Sequence, residues 1–320
     1  MIERVIENWL DSTTEREYQL PFSQVLAAEG FRIIHTSSHG PTEEGKDIIC
    51  LSREGTPCAF QLKTGNINLR FWRDIRGEVE ELVLVPIQHP NIPANTPFRA
   101  YLVTNGVITD PVRIQITNLN RKWEARGEGK LEILQRGDLY NKFVRLHGEF
   151  LPATPSDFER FLRLFLSDKK APLDKTMFAE FLESFLPLDK DIKRAELRRV
   201  FAATAVLANY VLSGFQREKN HHAVAEGWIV VIAYLLKLAE KIARYEPVWL
   251  PSLKLCIEAW ERATESLVTE ALTSANWVEG DLLTDHAVHP HRKTMLLGYL
   301  SVFALYKKAG GMHLTWKARF

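Results

Sequence analysis

Strand-forming segments occur only in the first half of this 320-residue chain, and this asymmetry limits the folds it can adopt. Up to about residue 150, short β-rich runs alternate with helix-forming stretches. After the segment FLPATPSD the strand signals stop, and the remaining sequence has the spacing of consecutive helices. Because the chain is long enough for about two domains, we place a boundary there. Residues 1–150 then form one domain, and residues 151–320 form a second, all-helical domain.

The first half reads as α-β-β-β-α-β-α-β-α. Two β-rich runs, residues 46–52 and 57–65, are joined by REGT, a short turn that contains a glycine, and this predicts a β-hairpin. Apolar residues at helical spacing predict a helix over residues 69–84, and residues 99–106 resemble a buried strand. The predicted fold class is therefore α/β (α+β), with a mixed sheet flanked by helices and an all-α domain after it.

Composition and charge indicate an ordinary globular protein. The net charge of +1 gives no global basic field of the kind that nucleic-acid-binding proteins often carry, although a basic groove can lie on a neutral protein. The three cysteines have no metal or disulfide spacing, which indicates a reducing compartment. The longest apolar run, residues 228–236, is nine residues long, whereas a membrane span needs about 20. We expect a cytoplasmic protein with no membrane partner.

Three polar residues stand out in the predicted hairpin. Gln61 and Lys63 are two residues apart, so they share one face of their strand. If the hairpin forms, Asp47 can lie opposite them. A carboxylate and an amide oxygen suit Mg²⁺, and a lysine beside that ion can activate water or stabilise phosphate charge. These groups suit phosphodiester hydrolysis, and the alternative is a simple Asp47–Lys63 salt bridge on a half-exposed sheet.

Motifs around these residues extend the pattern: Gly30-Phe31 after the first helices, Gly45-Lys46-Asp47-Ile48 at the strand entry, and Ala59-Phe60-Gln61-Leu62-Lys63 followed by Gly65. Together they resemble the PD-(D/E)xK nuclease superfamily, the fold of many restriction endonucleases. The resemblance is greatest to the branch related to type IV, modified-DNA restriction enzymes, whose third motif is Q-x-K. It covers roughly residues 15–145 and leaves out the helical half.

The resemblance implies a restriction-endonuclease-like fold, with Mg²⁺ or Mn²⁺ as cofactor and DNA as substrate. It implies that Asp47 is a metal ligand, that Gln61 is a ligand or positions the metal, and that Lys63 is the catalytic lysine. Defence against foreign DNA is the commonest setting of this branch. Two positions depart from the family pattern, because Lys46 stands where many relatives have proline and Gln61 carries no charge.

An uncharged Gln61 binds a cation less strongly, so another acid would help. Many relatives supply such an acid from their first helix. In this chain the corresponding segment is the predicted helix 17–29, which we expect to be interrupted near Pro21. The candidate residues in that helix, just before it and in the following loop are Gln19, Glu17, Glu15, Glu43 and Glu44. The sequence does not decide among them.

Two further surfaces are candidates for binding. Arg70, Arg73 and Arg76 recur every three residues on the predicted helix 69–84, where they could hold backbone phosphates or form a solvated face. In the helical domain, the pattern F-x-x-F-L-x-x-F-L occurs twice, twenty residues apart. It is typical of amphipathic helices with aromatic cores, and a docking face for a partner is the alternative.

These observations lead to a Mg²⁺-dependent endonuclease that hydrolyses DNA. Its helical domain would dock a protein partner, form a homo-oligomer or restrain cutting. The alternative hypothesis is a catalytically inactive adaptor, whose nuclease-like fold binds nucleic acid or a protein. The neutral charge and Gln61 favour that alternative.

Overall fold

The computed structural model describes residues 2–37, 45–147, 155–186, 193–242, 245–273 and 288–308. The first half contains α1 (Ile2–Ser12), α2 (Glu15–Ala28), β1 (Arg32–Thr36), β2 (Ile48–Leu51), β3 (Pro57–Lys63), α3 (Leu69–Leu84), β4 (Arg99–Thr104), α4 (Asp110–Glu124), β5 (Leu131–Leu134) and α5 (Arg136–His147). The second half contains α6 (Pro155–Leu166), α7 (Lys175–Phe185), α8 (Arg194–Arg217), α9 (His221–Lys241), α10 (Glu246–Thr273) and α11 (Val288–Lys308). The predicted mixed α/β architecture, with helices after it, is confirmed.

The five strands form one mixed sheet in the order β1-β2-β3-β4-β5. Strand β2 is antiparallel to both β1 and β3, whereas β4 runs parallel to both β3 and β5. Ile48 pairs with Phe60, so the predicted hairpin of β2 and β3 is confirmed. This topology puts the start of β2 beside the end of β3 and the end of β4.

The two faces of the sheet pack against different helices. One face, here called the α3 face, shares a core with α3 and α4. Its buried strand residues are Ile49, Ala59, Ala100, Leu102 and Leu131. The other face, called the α2 face, packs on α1, α2 and α5. Its buried strand residues are Ile48, Cys50, Cys58, Phe60, Leu62 and Val103.

Helix α2 is continuous, so the predicted interruption near Pro21 is wrong. The helix begins after Thr14, which forms a capping box with Glu17, and it continues through Pro21 to Ala28. A proline in a helix interior costs about 3 kcal/mol. Every residue from Glu17 to Ala27 is buried. We infer that burial of this central helix offsets the cost of its proline.

The helical half packs directly onto α2 and α5, and one hydrophobic core runs through both halves. The Trp9 ring lies 5.3 Å from that of Phe143 and 4.8 Å from that of Tyr210 on α8. Gln24 donates a 2.9 Å hydrogen bond to the carbonyl oxygen of Ser252 on α10. The boundary at residue 150 therefore separates the half that contains the sheet from the half built of helices. It does not interrupt the hydrophobic core.

The repeated phenylalanine pattern falls on α6 and α7. Phe161, Phe178 and Phe181 are fully buried, and the rings of Phe161 and Phe181 lie 5.5 Å apart. These three side chains belong to the core, as an amphipathic helix pair would require.

Helix α9 is long and apolar enough to cross a membrane by length and composition alone. Half of its most apolar window is buried, and the helix packs between α8, α7 and α10. A single helix of this kind is also what the core of a soluble protein contains, so this finding agrees with a soluble protein.

Candidate active site

The structure brings Asp47, Gln61 and Lys63 to the same end of the sheet. The Asp47 amide donates a 2.8 Å hydrogen bond to the Phe60 carbonyl oxygen. This bond continues the β2–β3 register by one residue and places Asp47 opposite Gln61. Gln61 and Lys63 alternate with Phe60 and Leu62, so they lie on the α3 face. The arrangement expected from the hairpin is therefore present.

The Asp47 carboxylate is held against the neighbouring strand. Its Oδ2 atom accepts a 2.6 Å hydrogen bond from the amide of Leu62, between Gln61 and Lys63. A backbone donor at this position orients the carboxylate without neutralising it. The carboxylate is therefore fixed beside the two residues of the Q-x-K motif.

Glu78 of α3 completes the group, and the sequence analysis missed it. Its Oε2 atom accepts hydrogen bonds from both Lys63 Nζ, at 2.7 Å, and Gln61 Nε2, at 2.9 Å. The ion pair is only partly shielded, with side-chain exposures of 14% for Lys63 and 51% for Glu78. One signal could have revealed this residue, because Glu78 lies at helical spacing from the inward-facing Ile75 and Leu82.

Gln61 retains one unused polar atom. The residue is only 2% exposed, and its Oε1 atom is buried with no hydrogen-bond partner among the described residues. A buried carbonyl oxygen without a partner carries a desolvation cost. A cation is one group that would satisfy it.

The chain before Asp47 passes close to Gln61 and α3. A Cβ atom built on Gly45 would lie 2.9 Å from the Glu78 carbonyl oxygen and 3.4 Å from Gln61 Nε2. Gly45 also has a φ of +70°, a conformation that glycine adopts without strain. This position therefore requires glycine for two independent reasons.

Helix α2 anchors the backbone of the site from the other face of the sheet. The Tyr18 hydroxyl donates to the Lys63 carbonyl oxygen at 2.9 Å and accepts from the Lys63 amide at 3.1 Å. Burial raises the pKa of Tyr18 far above its usual value, and the charges of Glu15 and Asp47 act in the same direction. Tyr18 therefore remains a neutral donor and fixes the end of β3.

The residues suggested as a further metal ligand differ in what their side chains contact. Gln19 donates to the carbonyl oxygens of Asp47, at 3.0 Å, and Ser37, at 3.2 Å, so it supports the backbone. Glu17 Oε2 accepts from the Thr14 amide at 2.7 Å and is thereby committed to the helix cap. Glu15 lies one turn before Gln19 on α2 and remains a candidate ligand.

Glu43 and Glu44 lie outside the described residues. Within the described ranges, no three His, Cys, Asp or Glu side chains come together as a ready metal site. The oxygen donors at the candidate site are therefore two carboxylates, from Asp47 and Glu78, and the amide oxygen of Gln61.

The arginine stripe lies along α3, the helix that supplies Glu78. All three arginines are exposed, and Arg76 Nε donates to Glu80 Oε1 at 2.8 Å. Arg70 and Arg73 make no ion pair or hydrogen bond through their side chains within the described part of the chain. The guanidinium groups of Arg70 and Arg73 are thus available to bind a phosphate.

Compared with known protein families, with curated proteins and with solved structures, the chain has no significant match. Any function proposed for it must therefore rest on its own residues and their geometry.

Proposed function

We propose that this protein is a Mg²⁺-dependent nuclease that hydrolyses phosphodiester bonds of DNA. One observation carries the proposal: Asp47, Gln61 and Lys63 lie together at one end of the sheet, where Glu78 bridges the glutamine and the lysine. The order of helices and strands and the mixed sheet also agree with a restriction-endonuclease-like fold, which we propose for the first half.

The oxygen donors at this site fit a divalent cation such as Mg²⁺ or Mn²⁺. Mg²⁺ prefers carboxylate, amide and water oxygens and is usually bound through one or two protein carboxylates. Asp47 and Gln61 Oε1 would hold it, and Glu78 would supply the charge that Gln61 lacks. Such an ion lowers the pKa of bound water and polarises a phosphoryl oxygen.

Lys63 is the proposed catalytic residue. Its ammonium group lies at the end of β3, where Tyr18 fixes its backbone and Glu78 fixes its side chain. From this position it can stabilise negative charge on a phosphate or orient an attacking water. Arg70 and Arg73, exposed on α3, would hold the flanking DNA backbone through charge.

The test is plasmid cleavage with Mg²⁺ by the purified full-length protein and by Lys63→Ala. We expect the wild-type protein to nick or linearise the plasmid and the variant to lose at least about tenfold in rate. Lys130→Ala is the matched control, since Lys130 is exposed just before β5 and away from the site. If Lys63→Ala cuts as fast as Lys130→Ala, the proposal fails.

The adaptor hypothesis predicts another result in the same experiment. An adaptor would not cut under any metal condition, and it would bind DNA equally well in the presence of a chelator. Titration calorimetry with Mg²⁺ would then show no heat that depends on Asp47. The absence of a three-acid cluster among the described residues is the observation that keeps this second function open.

A further inference from the structure

A large cleft lies between α2 and the helical half. Its volume is about 770 Å³, within the range of small-molecule binding sites. Helices α2, α8, α9 and α10 and the end of β1 form its walls. Gln19, which supports the Asp47 backbone, is part of one wall.

Two positively charged side chains in this cleft are left without an opposite charge. Arg16 and Lys219 line it, and neither forms an ion pair or a side-chain hydrogen bond within the described residues. Arg262 lies deeper, within reach of the charges of Glu258 and Glu261, and its Nη1 atom is 3.5 Å from Thr36 Oγ1. These three cations converge on the cleft from three different elements.

The acidic side chains of the cleft, by contrast, have partners already. Glu17 Oε1 lies 3.5 Å from Arg217 Nε, and Glu265 Oε1 lies 3.1 Å from Lys307 Nζ. Glu270 also has an interaction partner. The two charged side chains of the cleft that have no charged partner among the described residues, Arg16 and Lys219, are therefore both positive.

A second observation points independently to a ligand. Asn209 of α8 lines the cleft and is only 5% exposed as a residue, and its Nδ2 atom is buried with no hydrogen-bond partner among the described residues. Buried polar groups are rarely left unpaired, because each costs about 1–3 kcal/mol. An acceptor oxygen on a ligand would satisfy this amide.

Part of the remaining wall is apolar. Leu20, Val224, Ala259 and Ala263 line the cleft, together with the side chain of Trp228. A ligand with an anionic end and an apolar or aromatic body would match both parts. We propose that this cleft binds a small phosphorylated molecule, with its phosphates on Arg16, Lys219 and Arg262 and its body against the apolar wall.

This proposal is independent of nuclease activity and can be tested by binding alone. Titration calorimetry of the full chain in a chelating buffer would use three probes: ATP, inorganic tripolyphosphate and adenosine. The chelator removes divalent cations, so phosphate held by a metal at the candidate active site does not contribute. We expect saturable binding of ATP, weaker binding of tripolyphosphate, and adenosine binding at least about tenfold weaker than ATP.

The variant for this test is the double substitution Arg16→Ala, Lys219→Asn. Lys219 has a φ of +56°, and asparagine tolerates this conformation better than most residues. Both side chains are exposed, so the variant should keep the wild-type melting temperature. It should bind ATP at least about tenfold more weakly, because two charge-assisted contacts are lost.

Lys237→Ala on α9 is the control, since this exposed lysine does not line the cleft. Three outcomes would overturn the proposal. One is no saturable binding of ATP or tripolyphosphate at about 1 mM, and another is adenosine binding as tightly as ATP. The third is ATP binding that the double substitution leaves equal to that of Lys237→Ala.

Discussion

Lys63 Nζ lies 2.7 Å from Glu78 Oε2, so the lysine of the Q-x-K motif is paired with an acid from the next helix. The same Glu78 oxygen accepts from Gln61 Nε2 at 2.9 Å. A carboxylate thus lies beside the amide of the motif, and α3 supplies it rather than β3. The site recovers the charge that Gln61 lacks, and Glu78 becomes the first residue to test after Lys63.

Glu78→Gln should reduce plasmid cutting by at least about tenfold and raise the Mg²⁺ concentration needed for half-maximal rate. The variant keeps the size of the side chain but removes the charge that balances Lys63 and would help hold the cation. Cleavage rates measured over a Mg²⁺ titration would show both effects. Glu80→Gln serves as the control, because Glu80 lies on the same helix and pairs with Arg76. A Glu78→Gln protein with wild-type rates at every Mg²⁺ concentration would exclude this role.

The hairpin and the relation of its polar residues were predictable because both depend on local patterns. Alternation puts Gln61 and Lys63 on one face, and the REGT turn brings Asp47 beside them. Glu78 was not predicted, because its contact with β3 depends on how α3 packs across the sheet. Spacing within α3 could indicate an inward-facing acid, but it could not identify the strand that the acid meets.

Other differences also arise from tertiary packing. Proline propensity predicted a break in α2, yet Pro21 lies inside a continuous helix that is buried from Glu17 to Ala27. Gln19, one of the candidate ligands, is buried near Asp47. Its amide nevertheless contacts main-chain carbonyls, which no side-chain pattern could predict.

Tyr18→Phe should lower the stability of the protein by about 1–3 kcal/mol. The substitution removes the hydroxyl that accepts from the Lys63 amide and donates to the Lys63 carbonyl, so both backbone groups lose this partner in a buried place. Urea unfolding, followed by tryptophan fluorescence, would measure the change. Tyr140→Phe is the control, since the Tyr140 hydroxyl has no hydrogen bond among the described residues. Equal midpoints for the two variants would show that the Tyr18 contacts contribute nothing.

Gly106→Ala should destabilise the fold by at least about 2 kcal/mol. A Cβ atom at this position would lie 2.1 Å from the Gly65 carbonyl carbon, and backbone cannot move aside as a flexible side chain can. The two glycines meet where β3 and β4 end, beside the site. Gly77→Ala in α3 is the matched control, because nothing lies within 4 Å of its added methyl group, and alanine should stabilise that helix by about 0.5–1 kcal/mol. Thermal unfolding should therefore move in opposite directions for the two variants, and a Gly106→Ala midpoint at or above the wild-type value would contradict the close contact.

His147 should make the protein less stable in acid. Burial, together with the nearby Arg199 charge, lowers the pKa of His147 to about 3, and its Nε2 atom lies 3.2 Å from the Tyr210 hydroxyl. An unfolded histidine has a pKa of about 6.5, so below that pH the unfolded chain binds a proton that the folded chain does not. The contribution of this residue to the unfolding free energy is therefore complete above about pH 6.5 and declines as the pH falls toward 3.

The measurement is urea unfolding from about pH 7 to about pH 4, comparing wild type with His147→Gln and His147→Phe. Other groups also titrate in this range, so the informative quantity is the difference between the wild-type and variant curves. As the pH falls, the unfolding free energy of wild type should decrease with an additional slope that corresponds to the uptake of about one proton per molecule on unfolding. Both variants should lack this additional slope. Because glutamine can still bond to Tyr210 and phenylalanine cannot, a slope change shared by both variants would come from the titration and not from the lost contact. Parallel curves for all three proteins would mean that His147 takes up its proton without unfolding the chain.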